Sequence, residues 1–367
     1  MRGASDDVID LVEHAHRPGT KRLYKARWDA WCKWCEENDI SPVSPSQVKL
    51  ANYLAFLSKK KKLSASTVKG HRASICTTLR QLGRTSFSDD PLLKDLVKGM
   101  LLKEARSPRR FPAWDIFVVL KSLRSFPFEP LDSCELKFLS FKTAFLIALA
   151  SGRRCSEIHA LAIKGLATET DGSISIKFVP EFLAKNQPVN FHSKPIVIKA
   201  LAHHLCPDDE DITLCPVRSL KAYLKRTKIL RSPAKRRLFV SYKESKRSDL
   251  TIASISRWIK TLIRQAYSTW SDVNVPASPG SSRAHEVRAW ASSLAWAHNT
   301  SLQSIMEAGY WFSGATFIHY YLRDVAQERE DGSKGISFVA AQCPVVNTGS
   351  SSGKASSKHR SSSKSSK

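Results

Sequence analysis

Apolar residues recur at helical spacing along most of this chain. Between Lys21 and Glu37, Tyr24, Trp28, Trp31 and Cys35 fall at i, i+4, i+7 and i+11 and form one stripe, with Lys21, Arg22, Lys25 and Lys33 lying off it. Ser46 to Leu57 predicts a second helix with Val48, Tyr53 and Leu54 apolar, and the run Lys59 to Lys62 breaks the pattern as a loop. Ser66 to Leu82 predicts a third helix, opened by a Ser/Thr-rich cap and carrying Lys69, His71 and Arg72. Pro91 to Ala105 predicts a fourth. Together they make a small all-helical domain with basic faces.

Past Ala113 the pattern is mixed. Helices are expected at 114–125 and 138–150. Ser173 to Val179 then alternates Ile174, Ile176 and Phe178, the period of a half-buried strand, and Pro195 to Ile198 offers it a partner. Helical spacing returns at 216–227, 252–268, 282–298 and 314–323. The fold class is therefore mainly α with a small β-sheet. The organisation is a flexible lead-in at 1–17, a helical domain at 18–105, a basic linker at 106–112, an α+β domain at 113–340 and a tail at 341–367. The linker contains Arg109 and Arg110. From Asn347 onward the tail is mostly Ser, Lys and Gly, too poor in apolar side chains to offset its ordering entropy, and disorder is expected there.

Charge narrows the class of partner. The formal net charge is +25, from 58 Lys+Arg against 33 Asp+Glu in 367 residues, which points to a polyanion, nucleic acid first. A membrane is disfavoured: the best apolar run, Ala144 to Ala150, is far short of the roughly 20 residues that span a bilayer. Residues 1–17 carry Asp6, Asp7, Asp10 and Glu13 and do not read as a secretory signal. Eight cysteines in a chain of this length are not a disulfide framework, so a reducing, intracellular setting is expected. Cys32 and Cys35 have no second pair at zinc spacing, and His203, His204 and Cys206 read as loop; no metal site and no Gly-rich phosphate loop is expected.

Three segments carry candidate chemistry. In "SGRRCSEIHAL", Ser151 to Leu161, Gly152 suits a helix stop and Ser156 a new start. Arg154 and Glu157 then lie on one side of a helix start, suited to holding a phosphate, with the carboxylate orienting the guanidinium. In "RAHEVRAWASSLAWAH", Arg283 to His298, Val287, Trp290, Ala291 and Leu294 define the core face; His285 lies nearly opposite and Arg288 off its edge. In "AGYWFSGATFIHYYLRD", Ala308 to Asp324, Trp311, Phe317, Tyr320 and Tyr321 are aromatic, and one of the two adjacent tyrosines must point away from the core.

The order of these segments, "G-x-R-x-S-E", then a lysine in a strand turn, "H-x-x-R", a Gly with a nearby Trp, and a Tyr about ten residues on, resembles the tyrosine recombinase (phage integrase) family. The likeness spans roughly residues 17–330. "AHEVRAWASSLAW" and "TFIHYYLRD" look most like the recombinases of DIRS-type retroelements.

The resemblance implies a SAM-like helical DNA-clamping domain before the catalytic one. It also implies cleavage and rejoining of double-stranded DNA through a 3′-phosphotyrosyl link without metal or cofactor, by a tetramer on two duplexes. Arg154 and Arg288 would clamp the scissile phosphate, with Glu157 supporting Arg154. His285 would bind that phosphate or assist proton transfer, and Trp311 would donate to it. Lys185 is the best match for the lysine that protonates the leaving 5′-oxygen, with Lys177 and Lys194 as competitors. Tyr321 fits the DIRS-like register as nucleophile, and Tyr320 fits the spacing of the wider family. Tyr310 departs from the pattern by standing where the family often has His or Trp. Lys21, Arg22, Lys25, Lys69, His71, Arg72, Arg109 and Arg110 are the candidate DNA contacts. A nuclear location follows from the eukaryote-like motifs and the basic tail. Two further readings remain: a host-retained DNA-binding protein without cleavage, and a type IB topoisomerase-like relaxing enzyme.

Overall fold

A computed structural model describes residues 5, 7, 15, 17–104, 114–185, 194–201, 210–232, 236–243, 250–269, 282–311 and 313–323. The chain divides into two compact units, Met1–Ser107 and Pro108–Lys367. Arg109, Arg110, the expected linker core, His203, His204, Cys206 and the tail lie outside the described residues.

The first unit contains helices α1 (Pro18–Glu37), α2 (Gln47–Lys59), α3 (Ala65–Gln81) and α4 (Pro91–Lys103). Ser46, Ser64 and Asp90 accept backbone N–H bonds at the starts of α2, α3 and α4, satisfying donors that the first turn leaves open. Trp31 and Cys35 from the α1 stripe pack with Leu50, Tyr53, Leu54, Val68, Ile75, Leu79 and Leu93. Burial pushes the Cys35 thiol up to about 12, so it serves as a small apolar core group. Lys21 is half-buried, and Arg22, Lys25 and Lys69 are exposed, with Lys25 pairing to Asp29 at 3.0 Å. His71 corrects the expectation: it faces inward, 3.4 Å from the Tyr53 hydroxyl, and burial lowers its pKa. Its place on the α3 turn with Val68 and Ile75 makes it core rather than a DNA contact. Arg72 is half-exposed and donates to the Ser88 carbonyl.

The second unit is built on α6 (Leu136–Ser151), which is buried continuously from Leu139 to Ser151. Around it lie α5 (Ile116–Ser122), α7 (Cys155–His159), α8 (Pro216–Arg226), α9 (Ile252–Ser268) and α10 (Glu286–Ala297). Strands β1 (Ala167–Thr168), β2 (Ile174–Ile176) and β3 (Ile196–Ile198) form an antiparallel sheet in that order, with Ser175 opposite Val197. Ile174, Ile176, Ile196 and Ile198 turn one face into the core. Two further helices, α11 (Leu302–Gly309) and α12 (Gly314–Tyr320), close the described chain.

A helix apolar on all sides suits a fully surrounded position. Its one buried cation, Lys142, donates to the Leu123 carbonyl and to Glu129, which also takes two bonds from Arg218 on α8. The left-handed Gly152 (φ 59°) ends α6 and turns the chain directly into the arginine segment. That conformation is costly for a side chain other than glycine.

Candidate active site

Glu157 is the hub of the site. Its side chain is 1% exposed, and one oxygen accepts the Arg154 backbone N–H at 2.7 Å, closing the start of α7. The same carboxylate stands 3.7 Å from Arg154 Nη1, 3.8 Å from Arg153 Nη1 and 3.9 Å from Arg288 Nη1. One carboxylate thus faces three largely buried guanidiniums. Helix α7 has five residues, too few for its dipole to be the holding element, so the arginine side chains carry the positive charge.

Arg288 does not sit at the edge of an exposed face as its helical angle suggested. Nearly all of α10 from Val287 to Ala295 is buried, and Arg288 with it. Its Nη1 donates to the Gly152 carbonyl at 2.9 Å and its Nη2 to the Gly309 carbonyl. The guanidinium lies 3.9 Å from the centre of the Trp311 ring and 5.2 Å from that of Tyr321. Burial and then the neighbouring Arg154 lower its pKa to about 10, against the opposing pull of Glu157 and Tyr321.

Among the described residues the donors Arg154 Nη1, Arg288 Nε and Trp311 Nε1 are buried here without a hydrogen-bond partner, as is the acceptor Glu157 Oε1 amid the arginines. Buried donors are ordinarily paired, and leaving one unpaired costs about 1–3 kcal/mol, more for a charged group. Excess buried cation together with unmet N–H donors fits a multiply accepting anion such as a phosphodiester.

His285 precedes α10, whose regular turns begin at Glu286 and not at 282. Its Nε2 is 2.8 Å from the Tyr321 hydroxyl. Its edge reaches solvent, but packing around it and the charges of Arg288, Arg154, Lys185 and Arg323 push its pKa down to about 4. Desolvation is the larger cause, and the surrounding cations act in the same direction. That direction favours an uncharged imidazole at neutral pH, whose Nε2, in one of its two tautomers, accepts a hydrogen bond from the Tyr321 hydroxyl.

Tyr321 packs its ring against Trp311 at 5.0 Å and His285 at 5.2 Å. Tyr320 is 64% exposed and lies against His319 instead. Helical geometry separates neighbours by about 100°, so only one of the pair faces the arginines, and it is Tyr321.

Lys185 is exposed on the connection between β2 and β3, and its charge is felt at His285. The side chain of Lys177 lies along Gly165, and Lys194 is exposed with its backbone N–H bonded to the Tyr310 hydroxyl. The structure thus brings together Arg154, Glu157, His285, Arg288, Trp311 and Tyr321, with Lys185 within electrostatic reach.

Sequence reasoning passed over Arg153, and it gave Gly309 and Tyr310 no structural role. A Cβ on Gly309 would fall 2.0 Å from the Trp311 ring, so glycine lets the indole fold back under α11. The Arg153 guanidinium stacks 3.9 Å from the centre of the Tyr310 ring. The doubled arginine after Gly152 was the available signal for Arg153.

No family model matches the chain, and no curated protein matches it in sequence. Solved structures match in fold. A lambda integrase dimer bound to a COC′ core site shares 15% identity with a TM-score of 0.51, over 88% of this chain and 95% of that one. The Tn1549 transposon integrase in complex with transposon right end DNA gives 16% identity and 0.51, over 88% and 94%. The XerH site-specific recombinase in a post-cleavage complex with palindromic difH substrate gives 17% and 0.50, over 76% and 67%. The fold, mostly helical with a small three-stranded antiparallel sheet, matches that of these integrase and recombinase structures.

Proposed function

We propose that this protein is a site-specific DNA recombinase that cleaves and rejoins double-stranded DNA through Tyr321, using the fold it shares with integrases of known structure. The observation that carries the reading is the Tyr321 hydroxyl. It lies 2.8 Å from His285 Nε2 and beside buried, under-partnered arginines.

A phosphodiester resists anionic attack because it is itself an anion. Arg154, Arg288 and the Trp311 N–H neutralise and orient its nonbridging oxygens and stabilise the charge that grows at the pentavalent transition state. Glu157 holds both arginines in place. As the Tyr321 oxygen bonds to phosphorus, its proton passes to His285 Nε2. The bond from phosphorus to the 5′-oxygen breaks, and Lys185 supplies the proton that oxygen needs. The product is a 3′-phosphotyrosyl ester and a free 5′-hydroxyl. The ester keeps the energy of the broken bond, so attack by another 5′-hydroxyl rejoins the strand.

The DIRS-like wording of the second and third motifs supports a mobile element as the source. The basic, serine-rich end supports nuclear action. The lambda integrase of this fold is seen on DNA as a dimer, which supports assembly of several copies on DNA. The net charge of +25 supports duplex DNA as partner.

The test is a nicked suicide duplex whose cleavage releases a short fragment and so blocks religation. The intact protein should become covalently attached to DNA, and Tyr321→Phe should not. A protein that binds the duplex and never attaches is a binding protein derived from this fold and not a recombinase.

A further inference from the structure

Helix α12 has seven residues and ends just before Tyr321, whose backbone N–H still bonds to the Phe317 carbonyl. The Tyr321 ring is held on two sides, by Trp311 and by His285. Its carbonyl lies past the last turn, where helix carbonyls lose their intrahelical donors. That carbonyl finds its donor on another helix. The Ser293 hydroxyl, on α10, donates to it at 3.2 Å and accepts the backbone N–H of Arg323 at 2.9 Å. One hydroxyl therefore grips the chain on both sides of Leu322, across 28 and 30 residues of sequence.

Ser293 is fully buried, and the residue beside it shows the ordinary use of such a hydroxyl. Ser292 bonds back within α10, to the carbonyls of Arg288 and Ala289. Ser293 instead turns its hydroxyl across to the end of α12. Helix α10 also carries Arg288, and His285 immediately precedes its first turn. The imidazole that meets the Tyr321 hydroxyl, the buried guanidinium and the Ser293 hydroxyl thus share one element, and the Tyr321 backbone is tied to it.

We infer that Ser293 is a positioning residue for the nucleophile: its hydroxyl fixes the Tyr321 backbone to the helix of Arg288, so that the phenolic oxygen stands between His285 and the clamped phosphate. This rests on the reading of the chain as an enzyme that cleaves DNA through Tyr321. Attack at phosphorus needs the entering oxygen close and in line, and a misplacement of about 1 Å can slow a reaction about 100-fold. A helix of two turns is too short to hold the residue at its end without outside contacts.

The experiment uses the full chain and Ser293→Ala, which keeps a good helix former in α10. On saturating nicked suicide duplex, adduct formation should slow about tenfold, the effect of one well-made hydrogen bond. Duplex affinity, measured with Tyr321→Phe in both proteins so that nothing attaches, should change less than about twofold. In the absence of DNA, the ¹⁵N signal of His285 Nε2 in Ser293→Ala should move toward its position in Tyr321→Phe, because the phenolic hydroxyl is no longer held against it.

An adduct rate equal to that of the unaltered protein would overturn the inference. So would a slower rate matched by an equal loss of duplex affinity, or one with the Nε2 signal unmoved, since either would place Ser293 in the DNA surface or the general fold and not behind the nucleophile. If the unaltered protein forms no adduct, the recombinase reading fails and this inference with it.

Discussion

The electrostatics of the candidate site turn on one carboxylate among three arginines. Glu157 offsets part of the charge of Arg153, Arg154 and Arg288, and the remainder lies in a setting where an unpaired charge is expensive. Arg154→Ala removes a clamp on the transition state and should cut adduct formation by about 100-fold or more, ~3 kcal/mol, while the melting temperature changes little. Arg288→Ala is expected to behave differently. It leaves the Gly152 and Gly309 carbonyls without their donor and opens a cavity, so it should lose both activity and about 2–4 kcal/mol of stability.

The same charges set the protonation of His285. Its folded pKa, about 4, lies below the ordinary 6.5, so the unfolded chain binds the extra proton first as pH falls. The contribution to stability is full above about pH 6.5 and is lost as pH drops through about 4. Removing a cation by Arg154→Ala should raise the imidazole midpoint, and so should a bound phosphodiester, because both relieve the positive field. Proton NMR of the His285 ring, with and without duplex on the Tyr321→Phe protein, measures this. A midpoint unmoved by DNA would mean that the phosphate does not enter beside His285.

At the scale of elements, the helix ending around Gly309 shows what positions the aromatic pair. The indole of Trp311 folds back where a glycine Cβ is missing, and Phe317 of α12 packs on it at 5.6 Å. Gly309→Ala should force the indole out, destabilise the protein by about 1–3 kcal/mol in a thermal melt and depress cleavage with it.

This element was only partly legible. Ser301 as cap and the spacing of Leu302, Ile305 and Met306 were there to predict α11, but the stretch is short and was passed over. The longer helices, such as α9 at Ile252–Ser268, were legible because their apolar faces persist for several turns. Strand β1 has two exposed residues and no periodicity to read. Arg288 and His71 were misplaced for a shared reason. A helical wheel gives the angle of a side chain, and burial depends on how many neighbours surround the helix, which comes from the rest of the chain. Tyr321 was preferred over Tyr320 on motif register, because Phe317 sits at helical spacing from both. Only the packing of His285 and Trp311 distinguishes them in space.

For the whole molecule, a net charge of +25 makes counterion release a large part of DNA affinity. Binding should weaken steeply as salt rises, and a shallow dependence would contradict phosphate-dominated recognition. Among the described residues no helix is long and apolar enough to cross a membrane, and no three His, Cys, Asp or Glu side chains are grouped as a metal site. The account rests most heavily on a single covalent bond. Trapping the intact protein on a nicked suicide duplex, digesting it and sequencing the DNA-linked peptide locates that bond. The prediction is a phosphotyrosyl ester at Tyr321, lost in Tyr321→Phe and retained in Tyr320→Phe. An adduct at Tyr320 would contradict the geometry of the site, and a duplex that is bound but never attached would contradict the enzyme.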